Sequence, residues 1–267
     1  MGNVVRAMMI GDVVGSLGLE ALEAQLPSLI KEHNIDFVTV NGENSAEGFG
    51  MTEADFKRIV AAGADIVTSG NHVWEKREFW PVLENDKNML RPANYPSAAP
   101  GTGFALIKKG DVNWLVINLQ GRELMSDIDC PFQCFDRIVD LIVEQAGGGQ
   151  PPVTIVDFHA ESSREKEALA YYADGRAALI AGTHTHVQTA DERILPNGSA
   201  YITDLGMTGI TESVIGMDPK ICQDRFTKQV QYQMKTIISK EPGQVNGVIL
   251  EIDSDTGKAV SIQRIPC

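Results

Sequence analysis

The sequence predicts an α/β fold: two mixed β-sheets packed face to face with helices outside, on a single domain spanning residues 1–267. Three observations predict it. A unit of apolar strand, polar tip and helix recurs early in the chain, the pattern of a parallel sheet with crossover helices. In mid-chain two strands flank the turn signal Lys109-Gly110-Asp111, which reads as an antiparallel pair in a second sheet. No linker, repeat or low-complexity tract separates these regions.

The elements follow from local patterns. Val4 to Ile10 is a β-branched apolar run ended by Gly11-Asp12-Val13-Val14-Gly15. The next segment places Leu19, Leu22, Leu26, Leu29 and Ile30 on one helical face, with Pro27 as a candidate kink. Phe37 to Val40 is a second strand opening into Asn41-Gly42-Glu43-Asn44. Thr52 and Asp55 have the spacing of a capping box for a helix to about Ala62. Ile66 to Thr68 then delivers Ser69-Gly70-Asn71-His72. After a proline-containing loop come the strands Gly103 to Lys108 and Val112 to Asn118, and a helix from Phe132 to Gln145. Val153 to Val156 leads to Asp157-Phe158-His159-Ala160-Glu161, and a further helix leads to the strand Ala177 to Ala181. Gly182-Thr183-His184-Thr185-His186 follows. Pro196-Asn197-Gly198-Ser199 joins one hairpin and Asp255-Thr256-Gly257 another. Asp204 to Met217 reads as a long glycine-punctuated loop.

Composition narrows the function classes. An apolar content of 43% and a charged content of 22% are those of an ordinary globular chain. The net charge of −13 argues against stable binding to nucleic acid or to anionic membranes, but not against a small phosphorylated substrate at a metal. No apolar run approaches the roughly 20 residues that span a bilayer. The N-terminus lacks a signal-peptide layout, and Cys130, Cys134, Cys222 and Cys267 have no Cys-x-x-Cys spacing. These features predict plain thiols in a cytoplasm. A homo-oligomer is compatible with the sequence.

The chemistry lies at the strand tips. In α/β sheets ligand sites gather at the carboxyl ends of strands. Five strands here end in metal-competent residues: Asp12; Glu43 and Asn44; Asn71 and His72; His159; His184 and His186. Taken singly, most have plainer readings: Asp12 as a helix cap, His159 as a core histidine, Ser69 to His72 as a turn. Their agreement favours one site. All are oxygen or imidazole donors, which suits manganese, iron or zinc and disfavours a closed structural zinc site. They are too many for one tetrahedral ion and suit two ions roughly 3.5–4 Å apart. By contrast, His33 reads as a surface residue at a helix end, and Glu161 to Glu167 as a solvated helix face. Roles for Arg122, Asp204 and the 204–217 loop stay open.

An aspartate tip, an acidic bridge, Gly-Asn-His, a lone histidine and Gly-x-His-x-His, in that order, resemble the signatures of the calcineurin-like metallophosphoesterases. The resemblance spans Asp12 to His186, with two departures. Val14 stands where the family's first motif has a histidine, and Glu43-Asn44 stands where the second has an aspartate. Both departures are similar to the YmdB-type branch, described as phosphodiesterases of cyclic nucleotides. The resemblance implies a four-layer helix–sheet–sheet–helix fold, and two metals of which iron is the first choice, manganese the next and zinc the third. It implies that Asp12, Glu43, Asn44 and His186 hold one metal, and that Glu43, Asn71, His159 and His184 hold the other. It further implies that the substrate is a small cyclic phosphodiester, 2′,3′-cyclic ahead of 3′,5′-cyclic. Hydroxide held between the metals would attack phosphorus while His72 protonates the departing oxygen. Two rival readings are a regulatory metal-binding protein acting through partners and a metal-dependent amidohydrolase, whose barrel usually carries His-x-His after its first strand.

Overall fold

The computed structural model describes residues 3–265; Cys267, one of the four thiols, lies outside them. In chain order the elements are β1 (Val4–Ile10), β2 (Asp12–Val13), α1 (Gly15–His33), β3 (Phe37–Asn41), α2 (Glu53–Ala62), β4 (Ile66–Thr68) and α3 (Trp80–Asn85). Then come β5 (Phe104–Lys109), β6 (Val112–Gln120), α4 (Pro131–Ala146), β7 (Val153–His159), α5 (Ser163–Ala173) and β8 (Leu179–Thr183). The last are β9 (Arg193–Ile194), β10 (Ala200–Ile202), β11 (Met207–Thr208), α6 (Pro219–Lys228), β12 (Gly247–Asp253) and β13 (Lys258–Arg264).

One sheet has the order β13-β12-β1-β3-β4, with β1, β3 and β4 parallel, β12 antiparallel to β1 and β13 antiparallel to β12. The other has the order β5-β6-β7-β8-β10-β9, parallel from β6 to β10 with an antiparallel strand at each edge. Period-2 alternation assigns the faces. Val5, Ala7 and Met9 of β1 share a buried cluster with Trp114 and Val116 of β6 and Ile155 of β7, so the two sheets face each other. Phe37 and Trp114 stack across that seam with ring centroids 4.6 Å apart. The alternate residues Met8, Ile10, Val38 and Val40 pack outward on Leu19, Leu22 and Leu26 of α1 and on Phe56 and Ile59 of α2. On the far side, Leu115, Ile117, Val156 and Phe158 meet Phe135 and Ile138 of α4 and Leu169 of α5. The result is helix–sheet–sheet–helix, as the sequence predicts.

Local signals also hold. Thr52 and Asp55 form the capping box of α2, Thr52 Oγ1 accepting from Asp55 N at 3.2 Å and Asp55 Oδ2 from Thr52 N at 3.1 Å. Helix α1 continues through Pro27 to His33, which is half-buried at its end.

Three expectations are corrected. The 204–217 segment contains β11, which pairs in parallel with β2 and so ties the segment to Asp12. Residues 161–167 are not a uniformly solvated face: Lys166 is buried, its ammonium 2.7 Å from the buried carboxylate of Asp204. Strand β7 runs to His159 itself, because Asp157 and His159 occupy inner-face positions between the sheets and are fully buried. Helices α3 and α6 add to the expected set. Among the described residues, no helix is long and apolar enough to cross a membrane, and Cys130, Cys134 and Cys222 are unpaired.

Candidate metal centre

The carboxyl ends of β1, β3 and β4 in one sheet and of β7 and β8 in the other open on the same edge, and the predicted site residues meet there. Asp12, Glu43, Asn44 and His159 are buried; Asn71, His72, His184 and His186 are half-buried.

His159 Nε2 is the centre of one group. It lies 3.0 Å from Glu43 Oε1, 3.1 Å from Asn71 Oδ1 and 3.0 Å from His184 Nδ1. One proton on that nitrogen can serve only one of these three acceptors. The crowd of lone pairs is what a cation resolves. Glu43, His159 and His184 each offer a ligand atom within 4.8 Å of the others. A second group adjoins it. Asn44 Nδ2 lies 3.0 Å from His186 Nε2 and donates to Glu43 Oε1 at 3.2 Å. Asp12 Oδ2 accepts from His184 N at 3.1 Å, while Asp12 Oδ1 and Asn44 Oδ1 are buried without a hydrogen-bond partner. Such orphaned oxygens are costly unless a ligand takes them, so the donor set fits metal ions. Gly70 leaves the room: a Cβ there would stand 2.3 Å from His159 Nε2 and 2.4 Å from Glu43 Oε2.

The far nitrogen of each imidazole is anchored. His159 Nδ1 is 2.9 Å from Thr183 Oγ1, which donates at 2.7 Å to Asp157 Oδ1. Asp157 also accepts from Asn41 Nδ2 at 3.0 Å and from the Thr68 hydroxyl. His186 Nδ1 is 2.9 Å from the Ile215 carbonyl oxygen, and His184 Nε2 is 3.1 Å from Glu161 Oε2. With their protons on these outer nitrogens, all three rings turn a lone pair inward. His184 and His186 take left-handed backbone angles, φ of 102° and 66°. For side-chain-bearing residues this is strain that the surroundings must hold. Asp204 does so, accepting from Thr185 N at 3.1 Å and pairing with Lys166.

The electrostatics of these groups are strongly coupled. Burial favours neutral Asp12 and Asp157, raising the first and pushing the second up to about 6. For Glu43, burial is outweighed by the His159 imidazole, and the carboxyl falls to about 2. For His159, burial is outweighed by Glu43, Asp12 and Asp157, and the ring rises to about 9. Burial and then His159 drive His184 down to about 3.

His72 sits apart from the crowd. Its backbone N–H donates to Glu43 Oε2 at 3.2 Å, and its ring lies edge-on to Phe49 at 5.0 Å with Nδ1 3.5 Å from Glu75 Oε1. Sequence reasoning missed Asp157, Thr183, Glu161 and the Lys166–Asp204 pair as supports. The signal for the first two was there: polar side chains at inner-face positions of otherwise apolar strands. Arg122 is held through its backbone N–H by Glu165 at 3.0 Å, and Asp204 supports the histidine loop from beneath.

Donors converging on the shared edge of two packed sheets define a metallophosphoesterase-type protein. The particular assignment comes from comparison with known proteins. Residues 8–265 match the model of the YmdB-like protein family, and the chain belongs to that family. It is 42% identical over 261 residues to the 2′,3′-cyclic-nucleotide 2′-phosphodiesterase of Bacillus subtilis (strain 168), covering 98% of this chain and 96% of the relative. Among solved structures it is similar to a hypothetical protein from Thermus thermophilus, with a TM-score of 0.89 at 35% identity over 98% of each chain. It is also similar to a novel phosphatase from Mycoplasma pneumoniae, with a TM-score of 0.90 at 32% identity over 99% of this chain and 94% of that one.

Proposed function

We propose that the chain is a metal-dependent phosphoric diester hydrolase of cyclic nucleotides, acting on 2′,3′-cyclic forms ahead of 3′,5′-cyclic forms from one domain over residues 1–267. The observation that carries this reading is the meeting of two carboxylates, two amides and three imidazoles on one sheet edge, with orphaned oxygens among them. The substrate class is supported by the activity of the Bacillus subtilis relative. Two open sheets in place of a closed barrel weigh against the amidohydrolase reading.

Asp12, Glu43, Asn44 and His186 would hold one cation, and Glu43, Asn71, His159 and His184 the other. A donor set of oxygen and imidazole without thiolate suits iron, manganese or zinc, and the order iron, then manganese, then zinc rests on the family resemblance. When bound, the cations supply positive charge against the phosphoryl oxygens and lower the pKa of water from 15.7 to roughly 7. The protein's own part is orientation and proton transfer. Thr183, Glu161 and the Ile215 carbonyl keep the ring lone pairs inward, so the three imidazoles need not turn over on binding. His72, anchored through its backbone on Glu43 and 27% exposed at the side chain, gives its proton to the departing ribose oxygen. We place its work in a cytoplasm, where the unpaired Cys130, Cys134 and Cys222 would stay reduced.

The test is elemental analysis of the purified protein followed by product analysis. About two metals per chain are expected, with faster turnover of 2′,3′-cyclic than of 3′,5′-cyclic nucleotides and a nucleoside 3′-phosphate as product. A metal-loaded protein inert on every phosphodiester would overturn the enzymatic reading.

A further inference from the structure

One fully buried polar side chain beside the cage has no task in the scheme above. Gln120 ends β6 and is the register partner of His159. Neighbouring strands lie about 4.8 Å apart, so its side chain serves the same ground as the imidazole of His159. Asn118, two residues earlier on the same face, accepts from Ser69 N through Oδ1 at 3.1 Å. Gln120 thus follows, by two residues, the side chain that holds Ser69, and Ser69 itself precedes Asn71 by two.

Its position is fixed from several directions. Its backbone N–H donates to Asn94 Oδ1 at 2.9 Å, and its carbonyl oxygen accepts from Asn94 Nδ2 at 2.8 Å. Its Oε1 accepts from the Tyr95 hydroxyl at 2.9 Å, and the Tyr95 ring is braced edge-on against Trp74 with centroids 5.1 Å apart. The carboxamide oxygen is thus occupied. The nitrogen is not: Gln120 is 0% exposed, and its Nε2 has no hydrogen-bond partner in the protein. A buried donor left unpaired is destabilising, and in a native protein such a group calls for an acceptor from outside.

We propose that Gln120 Nε2 donates a hydrogen bond to a non-bridging phosphoryl oxygen of the substrate held at the cage. The proposal rests on the reading of the cage as a phosphodiester site. Its chemistry suits that ligand. As the register partner of His159, Gln120 stands nearer to where the cage would hold a phosphoryl group than to where a base would lie. It is neutral, so it adds direction without changing the charge balance set by the carboxylates. As hydrogen-bonded here, the Tyr95 hydroxyl occupies Oε1 and leaves the N–H for the ligand.

The metal-loaded full-length protein is tested with two probes: inorganic phosphate in equilibrium binding, and a 2′,3′-cyclic nucleotide in turnover. Gln120→Met removes the donor, and Gln120→Glu keeps the acceptor for Tyr95 but sets a negative charge against the ligand. For Gln120→Met we expect phosphate affinity and kcat/KM to fall about 10-fold to 100-fold, the range for a hydrogen bond to a charged group, with metal content unchanged. Gln120→Glu should lose more than Gln120→Met. Tyr95→Phe, which removes only the orienting hydroxyl, should weaken phosphate binding roughly 3-fold to 10-fold, and it carries the test if the Gln120 variants fail to fold. Unchanged phosphate affinity in Gln120→Met, or in Tyr95→Phe where the Gln120 variants do not fold, overturns the proposal. Loss of metal together with affinity also overturns it, because Gln120 would then be a support of the cage. Phosphate binding decides Gln120 without turnover, so an inert wild-type protein would sink the phosphodiesterase reading separately.

Discussion

The two sheets contribute different chemistry to one edge. The β1-β3-β4 sheet brings Asp12, Glu43, Asn44 and Asn71, all oxygen-bearing; the β6-β7-β8 sheet brings His159, His184 and His186, all imidazoles. They are also held differently. Carboxylates of the first sheet are fixed by backbone N–H groups, Glu43 by His72 N at 3.2 Å and Asp12 by His184 N at 3.1 Å. Imidazoles of the second are fixed through their outer nitrogens, two of them by side chains, Thr183 and Glu161. A carboxylate can be placed by the fold of the main chain alone. An imidazole needs its tautomer set as well, and that takes a partner.

The most damaging break removes Glu43, the donor proposed to serve both cations. Glu43→Ala should bring metal content from about two per chain toward zero and cut phosphodiester turnover by at least about 10³-fold, since metals contribute several kcal/mol to the transition state. Elemental analysis beside a kinetic assay checks this, and chelation of the wild type should reproduce the loss reversibly. Retention of both metals in Glu43→Ala would show that the sheets do not share a donor.

His72 sharpens the contrast, because it is an imidazole carried by the oxygen-donor sheet. Its ring stands outside the group centred on His159 Nε2, against Phe49 and Glu75. His72→Ala should keep its metals and lose roughly 10²–10⁴-fold in kcat. Metal content falling in step with activity would make His72 a ligand and end its role as proton donor.

A smaller effect separates ligand from support. Thr183→Val deletes the hydroxyl between His159 Nδ1 and Asp157 Oδ1, and metal affinity should drop about 10-fold to 100-fold, the usual cost of losing such a partner. Thr68→Val removes a bond to Asp157 but leaves His159 its hydroxyl, so its metal affinity should fall less. A competitive titration with a chromophoric chelator measures both. Equal losses would mean that the burial of Asp157, and not the orientation of His159, sets the affinity.

How much of this was legible beforehand depended on the same division. The donors themselves stand out in sequence because each breaks an apolar run, and the capping box of Thr52 and Asp55 is local chemistry that needs no tertiary knowledge. The supports were hidden. Asp157 and Thr183 lie within strands whose apolar pattern stops short of their ends, since a polar residue facing a second sheet looks like the start of a loop. Lys166 sits in a run of charges that reads as solvated, but its stem packs on Gly182, where a Cβ would meet Lys166 Cδ at 2.7 Å, and its ammonium pairs with Asp204. Strand β11 has two residues, too few to show a period, and its partner β2 lies far away in sequence. Helix α6 buries only Cys222, so it has no apolar stripe; Asp218 capping Lys220 N at 2.7 Å and Pro219 at its first turn were its only signals.

The smallest effect is expected at the opposite end of the first sheet. Arg6 and Glu251 are register partners on β1 and β12, joined at 2.9 Å, with Ser261 Oγ donating to the same carboxylate at 3.1 Å. Hydrogen bonds from Arg6 and then Ser261 hold the Glu251 carboxyl below its ordinary 4.5. A depressed carboxyl pKa stabilises the folded state above the unfolded value, and that contribution disappears as the pH falls through the folded value. Both side chains are more than a third exposed, so solvent screening limits the pair to under about 1 kcal/mol. Glu251→Gln should therefore lower Tm at pH 7 by no more than about 2–4 °C for a chain of this size, and the gap from wild type should close as the pH drops below 4.5. Metal content and turnover should not move, because Arg6 lies near the start of β1 and Asp12 lies beyond its end. Thermal melts at several pH values, run beside a metal assay, measure both. A change in metal content would mean that the base of the sheet and its tips are energetically one unit, and the division between a structural end and a functional end would fail.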